Sequence, residues 1–128
     1  MSVINYIDEN IGNGIIIITW PNMGDDDTGQ PWQGAACSDK SVQAVAAVWG
    51  SATLTIEATN EDDAASPPVA QNFGTIQDFY GADLSFTTDR SPIGIAPIAK
   101  YIRPKTAGGT STDVTVTMVG KITSLIGQ

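Results

Sequence analysis

Histidine is absent from this 128-residue chain. The usual general base near neutral pH, the commonest catalytic triads and the commonest nitrogen ligand for zinc are therefore missing, and most enzyme classes lose weight. Cysteine occurs once, at Cys37, so no internal disulfide can form, which fits synthesis in a reducing cytoplasm. Basic residues are scarce: 6 Lys and Arg stand against 14 Asp and Glu, a net charge of -8. Such a surface repels phosphate backbones and anionic headgroups, so neither nucleic acid nor membrane is expected as a partner. No apolar run is long enough to span a bilayer, and the first residues lack the basic, apolar and small-residue order of a secretory signal, so export by that route is not expected.

What the chain does contain is strand pattern. Its length suits one domain able to bury roughly two-thirds of its unfolded surface. Val114, Val116 and Met118 alternate with Thr115, Thr117 and Val119, giving one apolar and one mostly hydroxyl face. Upstream, Ile98, Lys100 and Ile102 alternate with Ala99, Tyr101 and Arg103 until Pro104, which has no N–H to donate and is expected to end the run. Gly108-Gly109 between them permits a reversal, so a hairpin is expected there. A second is expected at Gly50-Ser51, joining Val42, Ala44, Ala46 and Val48 to Leu54, Ile56 and Ala58. The small alanines suggest close approach of another sheet or a large aromatic.

The first forty residues read differently. Met1 to Ile11 fits a short helix or an irregular arm, and Gly12-Asn13-Gly14 signals a turn. Ile15, Ile16, Ile17 and Ile18 then run into Thr19-Trp20 and are expected to stop at Pro21. A strand apolar on both faces needs cover on both, either within its own chain or from another subunit. Pro21 to Asp39 reads as a long loop carrying Trp32, of the kind that serves function or lies over a neighbour. Its Asp25 to Gly29 segment has clustered carboxylates but neither the alternate ligand spacing nor the distal bidentate Glu of a calcium loop, so no metal is expected.

Further on, the acidic Asn60 to Asp63 run reads as a solvated face, Leu84 to Thr87 as a short strand, Arg90 to Gly94 as a turn, and Lys121 to Gln128 as a weak strand or tail. Helical periodicity is poor. The expected fold is all-β, an antiparallel β-sandwich, jelly-roll or immunoglobulin-like, with an extended N-terminal arm: residues 1–40 as arm and loop, residues 41–128 as sandwich.

From about Asp39 to Val119 the order of motifs resembles small β-sandwich virion proteins of tailed bacteriophages. The pieces are Gly50-Ser51-Ala52-Thr53-Leu54-Thr55-Ile56-Glu57-Ala58-Thr59-Asn60, Leu84-Ser85-Phe86-Thr87, Tyr101-Ile102-Arg103-Pro104, and Gly108-Gly109 ahead of Thr112-Asp113-Val114-Thr115-Val116. Members often follow the strand ending like Thr59-Asn60 with Asp-Gly and a nearby Trp. Here Glu61-Asp62-Asp63 and Pro67-Pro68 follow, so that loop's contacts do not carry over. The resemblance implies a non-enzymatic cement or head-decoration protein, made in the bacterial cytoplasm and bound to the major capsid protein on the outside of the virion. It supplies no catalytic residues and no cofactor. Such a protein must share an apolar surface, for which Ile15, Ile16, Ile17, Ile18, Trp20 and Trp32 are the candidates. Self-association is expected, as a homotrimer where capsid subunits meet in threes or as a homodimer on two-fold positions.

Two other classes compete. A carbohydrate- or receptor-binding module on a phage tail or capsid could use Trp32, Trp49 and Tyr80 as stacking platforms. A hydrolase would need two carboxylates across a cleft, and the sequence does not place Glu57 opposite Asp113.

Overall fold

The computed structural model describes residues 2–34, 37–61, 72–97 and 99–122. Its strands are β1 (Val3–Ile4), β2 (Ile7–Gly12), β3 (Ile15–Met23), β4 (Thr28–Gly29), β5 (Trp32–Gln33), β6 (Cys37–Val48), β7 (Thr53–Thr59), β8 (Gly74–Thr75), β9 (Ser85–Phe86), β10 (Arg90–Gly94), β11 (Tyr101–Ala107) and β12 (Asp113–Ile122). One sheet has the order β10-β6-β12-β3-β2. The other runs β1-β4-β11-β7-β8, with β5 also paired to β11 and β9 to β7. Every pairing is antiparallel except β1 with β4.

This is the expected all-β sandwich, and its strand order resolves jelly-roll from immunoglobulin-like. From β3 onward the chain crosses repeatedly between the sheets: β3 in the first, β4 and β5 in the second, β6 back in the first, β7 to β9 in the second, then β10, β11 and β12 in alternation. With β4 and β5 sharing one position beside β11, and β8 and β9 one position beside β7, each layer has four places, β10-β6-β12-β3 and β4-β11-β7-β8. Two four-place layers wound in that sense make a jelly roll, to which β2 and β1 add an outer strand each. Within residues 1–40, the segment read as arm and loop, residues 3–33 supply β1 to β5 and Cys37 begins β6, so the segment joins both sheets.

Period-two alternation sends the predicted faces inward. Ile18, Trp20, Val42, Ala44, Val114, Val116 and Met118 of one sheet meet Leu54, Ile56 and Ile102 of the other, all essentially without solvent contact. Each large side chain among them contributes about 1.5–3 kcal/mol on burial. Across three paired strands, Ala44, Val116 and Trp20 share one rung, so a small residue flanks the indole's row. The Trp20 Nε1 donates to the Gln30 carbonyl at 3.0 Å, and Tyr6 meets the indole edge-on with ring centroids 6.0 Å apart.

Several local expectations are corrected. Neither expected hairpin exists: β6 and β7 lie in opposite sheets, as do β11 and β12. The Gly50-Ser51 and Gly108-Gly109 turns are arches from one layer to the other, side by side, with the Thr110 N–H donating to the Gly50 carbonyl at 2.9 Å. Turn chemistry fixes only a reversal, not the sheet in which the next strand pairs. A hairpin forms instead between β2 and β3, where Asn13 (φ 57°) and Gly14 (φ 75°) take the two positive dihedrals of a type I′ turn. The start of the chain is therefore strand, not helix or irregular arm.

Pro21 does not stop β3. The register with β12 shifts between Val114 and Val116, and Pro21 and Asn22 (φ 53°) occupy that bulge, where a missing N–H costs no ladder bond. Pro104 likewise sits within β11. On one side it faces Ile56, and on the other it falls between the residues paired to β5 (Tyr101, Ile102) and the residue paired to β4 (Lys105). Arg90 to Gly94, expected as a turn, is the edge strand β10. Ile98, the loop residues from Asp62 to Gln71, and Leu125 and Ile126 of the expected tail lie outside the described residues.

Candidate interaction surface

The isoleucine run divides by alternation. Ile16 and Ile18 face inward, Ile18 with 1% of its surface exposed, and Trp20 follows them with 0%. Trp32 is buried in the same core. A side chain without accessible surface cannot touch a second protein unless the sandwich opens, so Ile18, Trp20 and Trp32 hold the fold. Ile15 and Ile17 point the other way, half-buried on the outer face of the five-stranded sheet.

That outer face can be followed rung by rung. Glu9, Ile17, Val119 and Ser41 form one row across four strands; Ile7, Thr19, Thr117 and Gln43 form the next; Ile15, Lys121 and Asp39 form a third. Two shallow depressions run along it. One, of about 300 Å³, is lined by Ile15, Asp39, Ser41, Val119 and Lys121, and the other, of about 140 Å³, by Ile17, Gln43, Pro92, Thr117 and Val119. Ile7 (62% exposed), Val45 and Val119 add uncovered apolar surface to the same face. Only Ile15 and Ile17 of the expected interface residues lie here. Val45 and Val119 lie on strands whose inward alternation was legible, whereas Ile7 lies in a segment that reads as helix or arm, and in each case exposure on the pleat follows only from register.

The opposite sheet presents a different surface. Arg103 lies over the Phe73 ring at 3.8 Å, and its Nε donates to Glu57 Oε1 at 3.1 Å. Glu57 is thus tied to a cation. Asp113 is in the other sheet, where its Oδ1 accepts from Asn22 Nδ2 at 3.0 Å. The two carboxylates considered for hydrolysis do not face one another.

Of the three aromatics considered for sugar stacking, Trp32 is in the core, and Trp49 packs against that core while its Nε1 donates to Asp89 Oδ1 at 2.8 Å. That bond, with a second from the Ala46 N–H, holds the Asp89 carboxyl below the usual carboxylate range. Tyr80 is 94% exposed on a turn next to Phe79. Asp78 builds that turn: its Oδ1 accepts the N–H groups of Tyr80 (2.8 Å) and Ala82 (3.0 Å).

The acidic loop works as a clasp. Asp25 Oδ1 accepts from the Thr112 N–H, Asp26 Oδ1 from the Gly108 N–H, and Asp27 Oδ2 from the Gly24 N–H at 2.7 Å. Three carboxylates aimed at three separate backbone amides are satisfied by protein donors. No family model matches this chain, and no curated protein matches it.

Proposed function

We propose that this chain is a non-enzymatic structural protein of a tailed-phage virion, a cement or decoration protein that stabilises the shell by binding the outer surface of the major capsid protein. The observation that supports this reading best is the uncovered outer face around Ile15, Ile17 and Val119, since contiguous apolar surface of this kind marks protein–protein contact. Its rim carries Asp39, Lys121 and Glu9, the arrangement of apolar centre and polar edge found in protein interfaces. The order of motifs from Asp39 to Val119 supplies the virion part of the reading, and the acidic balance suits a position outside the packaged genome. Self-association as a trimer, or a dimer on two-fold positions, belongs to the same proposal.

Removing residues 1–40 would take away β1 to β5 and Trp20 with them, so surface substitution is the cleaner experiment. Val119→Lys and Ile17→Thr should leave the protein folded yet unable to saturate shells that lack it. Undiminished saturation by both folded variants refutes the reading. A carbohydrate-binding role is the second reading, favoured by Tyr80 on its braced turn. It requires binding to glycans by the free protein and loss of that binding in Tyr80→Ala.

A further inference from the structure

A sheet edge offers a row of unpaired N–H and C=O groups to any extended chain that reaches it, and folded proteins normally blunt such edges. Among the described residues, three of the four edges here are blunted. β10 carries Pro92 and a shifted register against β6. On the other sheet β1 has two residues, and β8 and β9, both beside β7, have two each. The fourth edge is β2, Ile7–Gly12, six residues long and exposed at every position.

The side chains along β2 say what could add to it. Glu9 pairs with Ile17 and Ile7 with Thr19, so both stand on the outer face, while Asp8 and Asn10 point to the opposite side. An added strand would therefore meet apolar surface at Ile7 and a carboxylate on each face, Glu9 on one and Asp8 on the other. A second copy of this chain pairing β2 to β2 would bring four carboxylates into one short ladder, and like charges across a strand pair are destabilising. We propose that the β2 edge is a docking site for an extended segment of another protein in which two adjacent residues are lysine or arginine, one turned to each face, with an apolar residue opposite Ile7. Backbone hydrogen bonds supply the affinity and the two carboxylates select the sequence. This site borders the outer face used in the virion reading and shares Ile7 and Glu9 with it, but it does not depend on that reading.

The probe is a blocked synthetic peptide, Thr-Val-Thr-Lys-Lys-Val-Thr, whose adjacent lysines turn to opposite faces, offered in excess to the full chain, with the same peptide carrying Glu in place of Lys as control. Amide hydrogen exchange is read residue by residue. The basic peptide should slow exchange of the outward-facing amides within residues 7–12 by about tenfold or more, and the acidic peptide should leave them unchanged. The double variant Asp8→Lys, Glu9→Lys should reverse the preference, and the isosteric pair Asp8→Asn, Glu9→Gln should weaken binding of the basic peptide while keeping the native spectrum. Failure of the basic peptide to protect residues 7–12 overturns the proposal. So does equal protection by both peptides, or a preference that survives charge reversal. Shell binding lost without any change in these exchange rates would bear on the virion reading alone.

Discussion

The carboxylate of Asp25 accepts the backbone N–H of Thr112 at 3.0 Å across 87 residues of sequence. The same loop reaches the arch between β11 and β12 again through Asp26 and Gly108 at 2.8 Å, and Thr106 Oγ1 accepts the Asp27 N–H at 2.8 Å. A segment that looks from its composition like a solvated acidic loop is therefore a strap holding one inter-sheet crossing closed.

Strong acid should weaken that strap at Asp25. The Thr112 hydroxyl, and after it the Thr112 N–H, hold the Asp25 carboxyl below its ordinary value of 3.8. A carboxylate depressed in the folded state contributes stability that is fully present above 3.8 and is lost as pH falls through the folded value. Urea unfolding across that range should show a smaller acid dependence in Asp25→Ala than in the parent. Identical acid limbs would show that Asp25 is not linked to folding.

Much of the fold was legible because it depends on alternation, which sequence records directly. Val114, Val116, Met118, Leu54 and Ile56 turn inward as their spacing requires. Strand pairing was not legible, because Gly50-Ser51 and Gly108-Gly109 look the same whether the next strand stays in its sheet or crosses to the other. The proline signals at Pro21 and Pro104 failed for a related reason: each cost depends on whether a partner lies on the N–H side, and in both places the ladder is interrupted. The surface patch was half legible. The isoleucine run announced it, but only register could say that Ile15 and Ile17 share a face with Val119 and Ile7, and that Ile18 does not.

Neighbouring isoleucines should accordingly differ in cost. Ile18→Ala opens a cavity between the sheets and should destabilise by about 2–5 kcal/mol. Ile17→Ala removes a half-buried side chain from an uncovered face and should cost about 1 kcal/mol. Denaturant midpoints at unchanged slope would measure both, and equal losses would refute the assignment of faces.

Gly29 is required by proximity. A Cβ there would lie 2.5 Å from Pro104 Cδ and 2.8 Å from Trp20 Cδ1, two rigid rings that cannot retreat easily. Gly29→Ala should destabilise by about 1–3 kcal/mol through overpacking. Gly74→Ala, which meets nothing within 4 Å, is the control and should change stability by less than about 0.5 kcal/mol. A tolerated Gly29→Ala would mean that β4 and β11 can separate without cost.

Lys40 gives the sharpest test of the interior. It sits on an inward position of β6, opposite Gly120, with 4% of its surface exposed, and its Nζ donates to the Cys37 carbonyl at 2.7 Å. Burial pushes its ammonium below the ordinary 10.5, an effect offset in part by Cys37 and Asp39. For a cation depressed in the folded state, the unfolded chain binds more protons between the two values, so stability rises with pH as the folded group titrates and the burial penalty is removed. Below the folded value the penalty is present in full. Lys40→Met should thus raise the melting temperature and abolish the alkaline rise, with the lost hydrogen bond to Cys37 limiting the gain. The Cys37 thiol, pushed above 9.0 by burial, acts in the opposite sense at high pH, because there the folded state retains the proton longer. Introducing Lys40→Met into a Cys37→Ala background, and comparing it with Cys37→Ala alone, removes that interference. If the lysine form remains the more stable across the whole range, the ammonium is compensated inside the sandwich, and its burial carries no penalty.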